Sequence, residues 1–160
     1  MSISRTLQAY LDRQWVHYDV LPHPEAFRAA EIAHTLHTPE NDMAKVVVVK
    51  VQERFVMTVL PASKNVDLHR LRTVLATHSV RLATEDEITG LFPDCELGAM
   101  PLFGNLYGLD VYVDQSLTED KEIVFQGGTH SDAIRMRYWD FVGLVFPVVA
   151  EFHRSRSEVW

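Results

Sequence analysis

The densest hydrophobic segment of the chain runs from Met43 to Val51 and contains five valines. Because β-branched side chains pack well on a pleated surface, this segment predicts a β-strand. Side chains alternate between the faces of a strand, and here both faces are apolar, which is typical of a central strand covered on both sides. Lys45 enters the strand on the face of Val47 and Val49. Its ammonium group either extends into solvent or has a functional partner, and the pattern leaves both open.

Hydrophobic periodicity predicts helices on both sides of this strand. Apolar residues three and four positions apart indicate helices over 4–14 and 25–36, with Phe27 on the inward face of the second. Asp67 is expected to cap a third helix. Thr84 stands three residues before a glutamate, which is capping-box spacing and predicts the start of a short helix.

Short apolar runs bounded by turn residues predict the remaining strands. They cover residues 18–21, 55–60, 109–113, 122–125 and 134–138. Gly127 and Gly128 are expected to break the fifth of the six predicted strands, and Asp140 could cap a last helix that reaches Val145. Strand pairs adjacent in sequence, with helices between the pairs, indicate one α+β domain over 1–160 with a mixed, mostly antiparallel sheet. The polar tail over 153–160 is expected to fray.

Composition and charge restrict the function. The chain has 160 residues, is 47% hydrophobic, and carries a net charge of −7, which argues against broad, nonspecific nucleic-acid binding. Residues 64–81 hold four lysines or arginines and one aspartate, a local charge of +3, which an ordinary solvated helix face also explains. No apolar run is long enough for a membrane span and no secretory signal pattern is present, so a cytoplasmic protein without membrane partners is expected.

Residues that commonly carry chemistry are sparse. None of the eight histidines has the spacing of a known zinc motif, so neither a metal nor another cofactor is expected. The single cysteine, Cys95, is flanked by two carboxylates that disfavour a thiolate. Ser63 follows a strand but lacks the glycine pattern of a hydrolase serine. Gly127 and Gly128 lack a phosphate-loop lysine, although their N–H groups could bind an anion or simply form a turn.

Two features remain as candidates. The segment from Gly98 to Gly104 combines glycines, which let a ligand approach the backbone, with the stiffening ring of Pro101. It either presents backbone groups to a substrate or is an irregular connection. Lys45 could hold a phosphate or polarise a carbonyl group.

Several short motifs follow one another in a recognisable order. They are Ala44-Lys45 at the start of a strand, the run Val59-Leu60-Pro61-Ala62-Ser63-Lys64-Asn65-Val66-Asp67-Leu68, the segment Gly98–Gly104, Val113-Asp114, Phe125-Gln126-Gly127-Gly128 and Asp140. Together they resemble the YbaK-type aminoacyl-tRNA deacylases, whose domain also occurs inserted in bacterial prolyl-tRNA synthetases. The match covers most of the chain. One departure is that the spacing from Gly98 to Pro101 is one residue shorter than in the family loop.

The resemblance implies a mixed, barrel-like sheet surrounded by helices, with a cleft for the 3′ end of a tRNA. It implies a free-standing trans-editing deacylase, which hydrolyses the ester of a mischarged tRNA and supports translation fidelity, with an aminoacyl-tRNA synthetase as a possible partner. Lys45 matches the residue on which activity depends. Delivery of the tRNA by a synthetase would reconcile an RNA substrate with the charge of −7.

The expected site contains nine residues. Lys45, Gly98 and His130 are expected to be catalytic. His130 could act as a proton carrier, or it could only fix the conformation of its loop. The expected substrate-binding residues are Ser63, Ala99, Met100, Pro101, Gly127 and Gly128. Two alternatives stay open: a module on the same fold that binds a tRNA end, a nucleotide or a synthetase without catalysis, and a hydrolase of other small acyl esters.

Overall fold

The computed structural model describes residues 3–119 and 121–155, and these form five α-helices and ten strands. The helices are α1 (Arg5–Gln14), α2 (Ala29–Thr35), α3 (Leu68–Leu75), α4 (Glu85–Leu91) and α5 (Tyr138–Val145). The strands are β1 (Tyr18–Pro22), β2 (Ala44–Val51), β3 (Arg54–Pro61), β4 (Lys64–Val66), β5 (Val80–Leu82), β6 (Asp110–Asp114), β7 (Glu122–Thr129), β8 (Asp132–Arg137), β9 (Val148–Ala150) and β10 (His153–Ser155). This is the α+β class that the sequence predicts.

The largest sheet has five strands in the order β5-β2-β3-β6-β9. Strand β2 pairs antiparallel with β3 and β5, whereas β6 runs parallel to both β3 and β9. A second sheet has the order β1-β8-β7, and a third joins β10 to β4. Within the part of the chain that is described, the strands form three open sheets, so the sheet is mixed as expected but does not close into a barrel.

Strand β2 is apolar on both faces because each face belongs to a different part of the core. Ala44 and Val48 pack in the cluster that contains Phe103 and the buried face of α1. Val49 and Val51 pack on the other side, with Leu71 of α3. The prediction of a central strand covered on both sides is confirmed.

Two of the three predicted caps are confirmed, whereas Asp140 does not cap α5, because that helix begins at Tyr138 and Asp140 lies inside its first turn. The side chain of Asp67 accepts a hydrogen bond from the amide of Arg70 at 3.1 Å and caps α3. Thr84 and Glu87 form the reciprocal capping box of α4. These contacts are local in sequence, which is why spacing alone revealed them.

Three further local predictions need correction. Gly127 and Gly128 do not end β7, because the strand passes through them with a register shift against β8. Helix α2 begins only at Ala29, and Phe27 is 62% exposed instead of inward. The tail expected to fray from residue 153 begins with β10, while 156–160 lie outside the described residues. None of the helices within the described residues is long and apolar enough to cross a membrane.

Candidate functional site

Lys45 is the second residue of β2 and directly follows the buried Ala44. Its side chain is half-buried, and its ammonium group donates a hydrogen bond to Oδ1 of Asn65 at 3.2 Å. Asn65 belongs to β4, which follows the strand paired with β2. The lysine is therefore held at its position by a rigid strand behind it and by a polar partner beside it.

The loop from Gly98 to Pro101 is tied to β7. The carbonyl oxygen of Gly98 accepts a hydrogen bond from Nε2 of Gln126 at 3.1 Å, and that of Ala99 accepts one from the amide of Gly128 at 2.9 Å. Gly98 has a φ of +87°, a conformation that favours glycine. Its amide has no hydrogen-bond partner among the described residues. The loop is thus a fixed piece of backbone in which the amides of Gly98 and Met100 have no hydrogen-bond partner among the described residues.

His130 packs against this loop. Its Nε2 atom lies 2.7 Å from the carbonyl oxygen of Leu97, and because a carbonyl only accepts, Nε2 carries the hydrogen. Its backbone amide donates to Oε1 of Glu96 at 2.9 Å. The ring is covered by Phe27, with a centroid distance of 4.6 Å, and its Nδ1 atom is buried without a partner among the described residues. These contacts match a residue that ties down its loop.

Gly127 and Gly128 allow the N-terminal segment to approach β7 closely. A methyl group added at Gly127 would lie 2.7 Å from Cγ2 of Ile3, and one at Gly128 would lie 2.8 Å from Cβ of Ser4. The amide of Ser4 donates to the carbonyl oxygen of Gly127 at 2.7 Å. The two glycines therefore leave room for the N-terminal segment to pack beside β7. Their expected contact with substrate stays a prediction.

Ser63 lies at the turn between β3 and β4, where its hydroxyl group donates a hydrogen bond to the side chain of Asn41. The buried amide of the preceding residue, Ala62, donates to the carbonyl oxygen of Met43 at 2.7 Å. These bonds place Ser63 near the start of β2, in the same part of the fold as Lys45. Its predicted substrate contact stays untested.

An open pocket of about 310 Å³ lies between the edge of β2 and the loop. It is lined mainly by apolar side chains together with the carboxylate of Glu85, and its walls include Val46, Gly98 and Met100. Lys45 does not line this pocket, and its side chain lies on the opposite face of β2 from Val46, where it bonds Asn65. Ala99 and Pro101 are buried next to the pocket wall instead of lining it.

Cys95 belongs to a polar cluster that is separate from the pocket. Its thiol is within hydrogen-bonding distance of Tyr107 and Asp94, and Ser4 also donates to that carboxylate. Burial raises the pKa of the Cys95 thiol to about 11, so the thiol stays protonated near neutral pH. Burial opposes ionisation of Asp94, but hydrogen bonds from Ser4, Thr6 and Tyr107 outweigh it and lower its pKa.

Three residues that sequence reasoning did not select are central to the site. Gln126 and Glu96 bind the loop, and Asn65 binds Lys45. Gln126 and Asn65 lie within the family-like sequence motifs, but those motifs do not predict the hydrogen bonds that the two side chains make. Among residues 3–119 and 121–155 no group of three potential metal ligands occurs.

Comparison with known proteins decides the family. The family model for the aminoacyl-tRNA editing domain matches residues 23–144, which is more than half of the chain. The chain belongs to the aminoacyl-tRNA editing domain family. The match spans Lys45, the Gly98 loop and His130, so the whole candidate site lies within the domain. At the level of the family, the protein is an editing domain related to YbaK.

Solved structures share the fold at low sequence identity. A protein with a proposed role as a trans-editing enzyme for prolyl-tRNA synthetase has a TM-score of 0.84 and 22% identity, with 95% of this chain and 97% of that chain covered. A protein described as hypothetical gives 0.85 and 19%, with 94% and 100% covered. A proposed signal-transduction protein from Marinobacter aquaeolei gives 0.74 and 14%, with 92% of this chain and 30% of that chain covered. No curated protein matches the chain.

Proposed function

We propose that the protein is an aminoacyl-tRNA deacylase that acts in trans and hydrolyses the ester between a wrong amino acid and its tRNA. The observation that carries the proposal is the fixed loop at Gly98, whose carbonyl is bound by Gln126 while its amide has no partner among the described residues. A preorganised N–H group of this kind stabilises the oxyanion that forms when an ester is attacked. The family membership supplies the class of substrate.

The proposed reaction needs little besides positioning. Water attacks the ester carbonyl, the Gly98 amide donates to the developing oxyanion, and the acyl C–O bond to the ribose breaks. One proton of the water goes to the leaving ribose oxygen, the other is released to solvent, and the amino acid leaves as its carboxylate. Lys45 binds the phosphate of the terminal nucleotide and so holds the ester against the loop. An aminoacyl ester is activated, so charge stabilisation and orientation supply the acceleration.

His130 is assigned a positioning role in this proposal. Its Nε2–H group holds the carbonyl of Leu97, the residue before Gly98, and Phe27 covers its ring. An imidazole that acts as a proton carrier needs access to the reacting atoms, whereas Nδ1 is buried.

The test is deacylation of a panel of mischarged tRNAs. The wild-type protein is expected to hydrolyse at least one of them, and Lys45→Ala is expected to lose most of the activity. Lys50→Ala is a matched control, because Lys50 is a lysine of the same strand whose ammonium lies 4.0 Å from Glu87 and over the ring of Phe55. Failure with every tRNA, or full activity of Lys45→Ala, would refute the proposal.

The second candidate is a module that binds a tRNA end without hydrolysis. It is favoured by the buried state of Nδ1 in His130, which keeps this nitrogen from acting as a base on a substrate. It predicts measurable affinity for tRNA without turnover of any ester. Hydrolysis of simple acyl esters that lack tRNA would instead support the third reading, a general esterase.

A further inference from the structure

The edge of β2 is open at Val46, between two points where other strands bind it. Strand β5 pairs only with Val49–Val51, and the amide of Ala83 adds one hydrogen bond to the carbonyl oxygen of Val48 at 2.9 Å. Towards the start of β2, a residue of β7 forms a single bridge to Met43. The strand edge between these points lines the pocket of about 310 Å³ that lies against the Gly98 loop.

The carbonyl oxygen of Val46 points into this gap. In an antiparallel strand, the N–H and C=O groups of every second residue point to the same side. Val48 accepts its bond from Ala83 on the side of β5, so Val46, two residues earlier, directs its carbonyl oxygen to that side as well. No hydrogen bond to this oxygen occurs among the described residues. The strand wall of the pocket therefore offers a hydrogen-bond acceptor.

The wall formed by the loop offers donors. Gly98 and Met100 both line the pocket, and their amides have no hydrogen-bond partner in the part of the chain that the structure describes. The carbonyl oxygens of Gly98 and Ala99 are bound by residues of β7, which holds the loop in place. The pocket thus combines an acceptor on its strand wall with donors on its loop wall.

Glu85 adds a negative charge at the rim of the same pocket. It lies in the first turn of α4, and its side chain is exposed. Its carboxylate has no ion pair or hydrogen bond among residues 3–119 and 121–155, whereas the carboxylate of Glu87 in the same turn is bound by Arg81 and by the amide of Thr84. Glu85 can therefore bind a cationic group of a ligand.

The rest of the lining is apolar. Apart from Glu85, no residue of the lining has a nitrogen or oxygen atom in its side chain. The floor is formed by buried residues, the mouth by partly exposed ones, and the wall between them by half-buried ones, which are respectively Val48 and Met100, Leu82 and Leu97, and Ala83 and Ile88. An aliphatic group is favoured on this floor, because a polar side chain would lose its hydrogen bonds to water without gaining a side-chain partner.

We propose that this pocket is the amino-acid subsite, and that it takes an α-amino acid with a free amino group and an aliphatic side chain of about the size of valine or leucine. The ester carbonyl oxygen lies at the Gly98 amide, the α-ammonium group lies between the Val46 carbonyl oxygen and Glu85, and the side chain enters the apolar floor. An ammonium group only donates hydrogen bonds, so it matches the strand wall and not the loop wall.

The size of the pocket agrees with an amino acid. Its volume of about 310 Å³ is at the lower end of the range of roughly 300–1,000 Å³ that is typical of small-molecule sites. The inference rests on the proposed function for the ester and for the role of the Gly98 amide. It adds the class of acyl group and assigns to Glu85 the selection of a free amino group and the rejection of acidic side chains.

Binding of non-hydrolysable analogues tests the inference. The probes are adenosines whose 3′ oxygen is replaced by NH and acylated with valine, alanine, aspartate or N-acetylvaline, and calorimetry measures their affinities. The valyl analogue is expected to bind about tenfold more tightly than the alanyl analogue, because two methyl groups are lost. The aspartyl and N-acetylvalyl analogues should bind more weakly still, since the first places a carboxylate on the apolar floor and the second has no ammonium group.

Two variants assign the contacts. Glu85→Gln is expected to weaken binding of the valyl analogue about threefold to fivefold and to leave that of the N-acetylvalyl analogue unchanged. Asp86→Asn is the matched control, because Asp86 lies in the same turn of α4 but does not line the pocket. Ala83→Leu, which fills part of the pocket, should weaken binding of the valyl analogue more than that of the alanyl analogue, and its thermal unfolding curve shows whether it is folded.

The results separate this inference from the proposed function. Equal affinity for the valyl, aspartyl and N-acetylvalyl analogues, or no binding of any of them, would refute the subsite. Deacylation of mischarged tRNAs without preference for aliphatic amino acids would also refute it, while the proposed function would stand. Selective binding of the valyl analogue by a protein that hydrolyses no ester would support the subsite and remove the proposed catalysis.

Discussion

The imidazole of His130 donates a hydrogen bond from Nε2 to the carbonyl oxygen of Leu97, at 2.7 Å. This contact fixes the tautomer, because a carbonyl oxygen cannot donate. It also fixes the backbone immediately before Gly98, the residue whose amide is proposed to stabilise the oxyanion. His130, which the sequence predicts as a proton carrier, therefore fixes the geometry of the loop at Gly98.

Two substitutions distinguish these roles for His130. Glutamine can place an N–H group near the position of Nε2 but cannot transfer a proton as imidazole does. We expect His130→Gln to retain most of the deacylation rate. The rate of His130→Ala should fall about tenfold or more, because the hydrogen bond that fixes the loop is lost. Single-turnover rates measured across pH would check this. Equal, large losses in both variants, with a changed pH profile, would instead establish proton transfer by His130.

Gly128 should not tolerate a side chain. Its φ is +106°, and an added methyl group would lie 2.8 Å from Cβ of Ser4, so Gly128→Ala is expected to destabilise the fold by about 1–3 kcal/mol. Gly143, within α5, has open space around the corresponding position. Gly143→Ala is expected to stabilise by about 0.5–1 kcal/mol, because alanine favours helix. Urea unfolding of the two variants should give free energies that change in opposite directions.

The thiol of Cys95 is expected to react slowly with alkylating reagents near neutral pH. Because burial raises the pKa of its thiol to about 11, alkylation by iodoacetamide at pH 7–8 should be much slower than for a free cysteine and should accelerate as the pH approaches 11. Cys95→Ala should leave deacylation unchanged. Rapid labelling at neutral pH, together with loss of activity on labelling, would contradict both expectations.

Asp114 holds the C-terminal strand in place. Its carboxylate is fully buried and accepts hydrogen bonds from the amides of Ser116 and Phe152 while contacting His153. Asp114→Ala would leave these donors buried without a partner, so we expect a loss of about 3 kcal/mol or more in the free energy of unfolding. Amide hydrogen exchange should become faster in β10.

Asp114→Asn, which retains an oxygen acceptor, should lie between the wild type and Asp114→Ala in both the free energy of unfolding and the amide exchange rate of β10. An Asp114→Ala protein with unchanged exchange in β10 would show that other contacts fix this strand.

The sequence by itself determined the elements that depend on neighbouring residues. The valines of β2 predicted a covered central strand, and the caps at Asp67 and Thr84 predicted helix starts, because β-branching and capping act over a few positions. The ordered motifs also determined the family, since the editing-domain match covers the same segment. Lys45 and the Gly98 loop could be selected as candidates on the same basis.

Tertiary structure decided what those residues contact. Phe27 was expected inside a helix, but the hydrogen bond from the amide of Ala26 to the carbonyl of His130 holds this segment in an irregular conformation over the imidazole. Gly127 and Gly128 continue β7, because the N-terminal segment packs where side chains would otherwise stand. The pairing of β10 with β4 sets Arg154 beside the partner of Lys45 across a long sequence separation. Such contacts depend on how sheets and termini pack together, and no local pattern of residues encodes that arrangement.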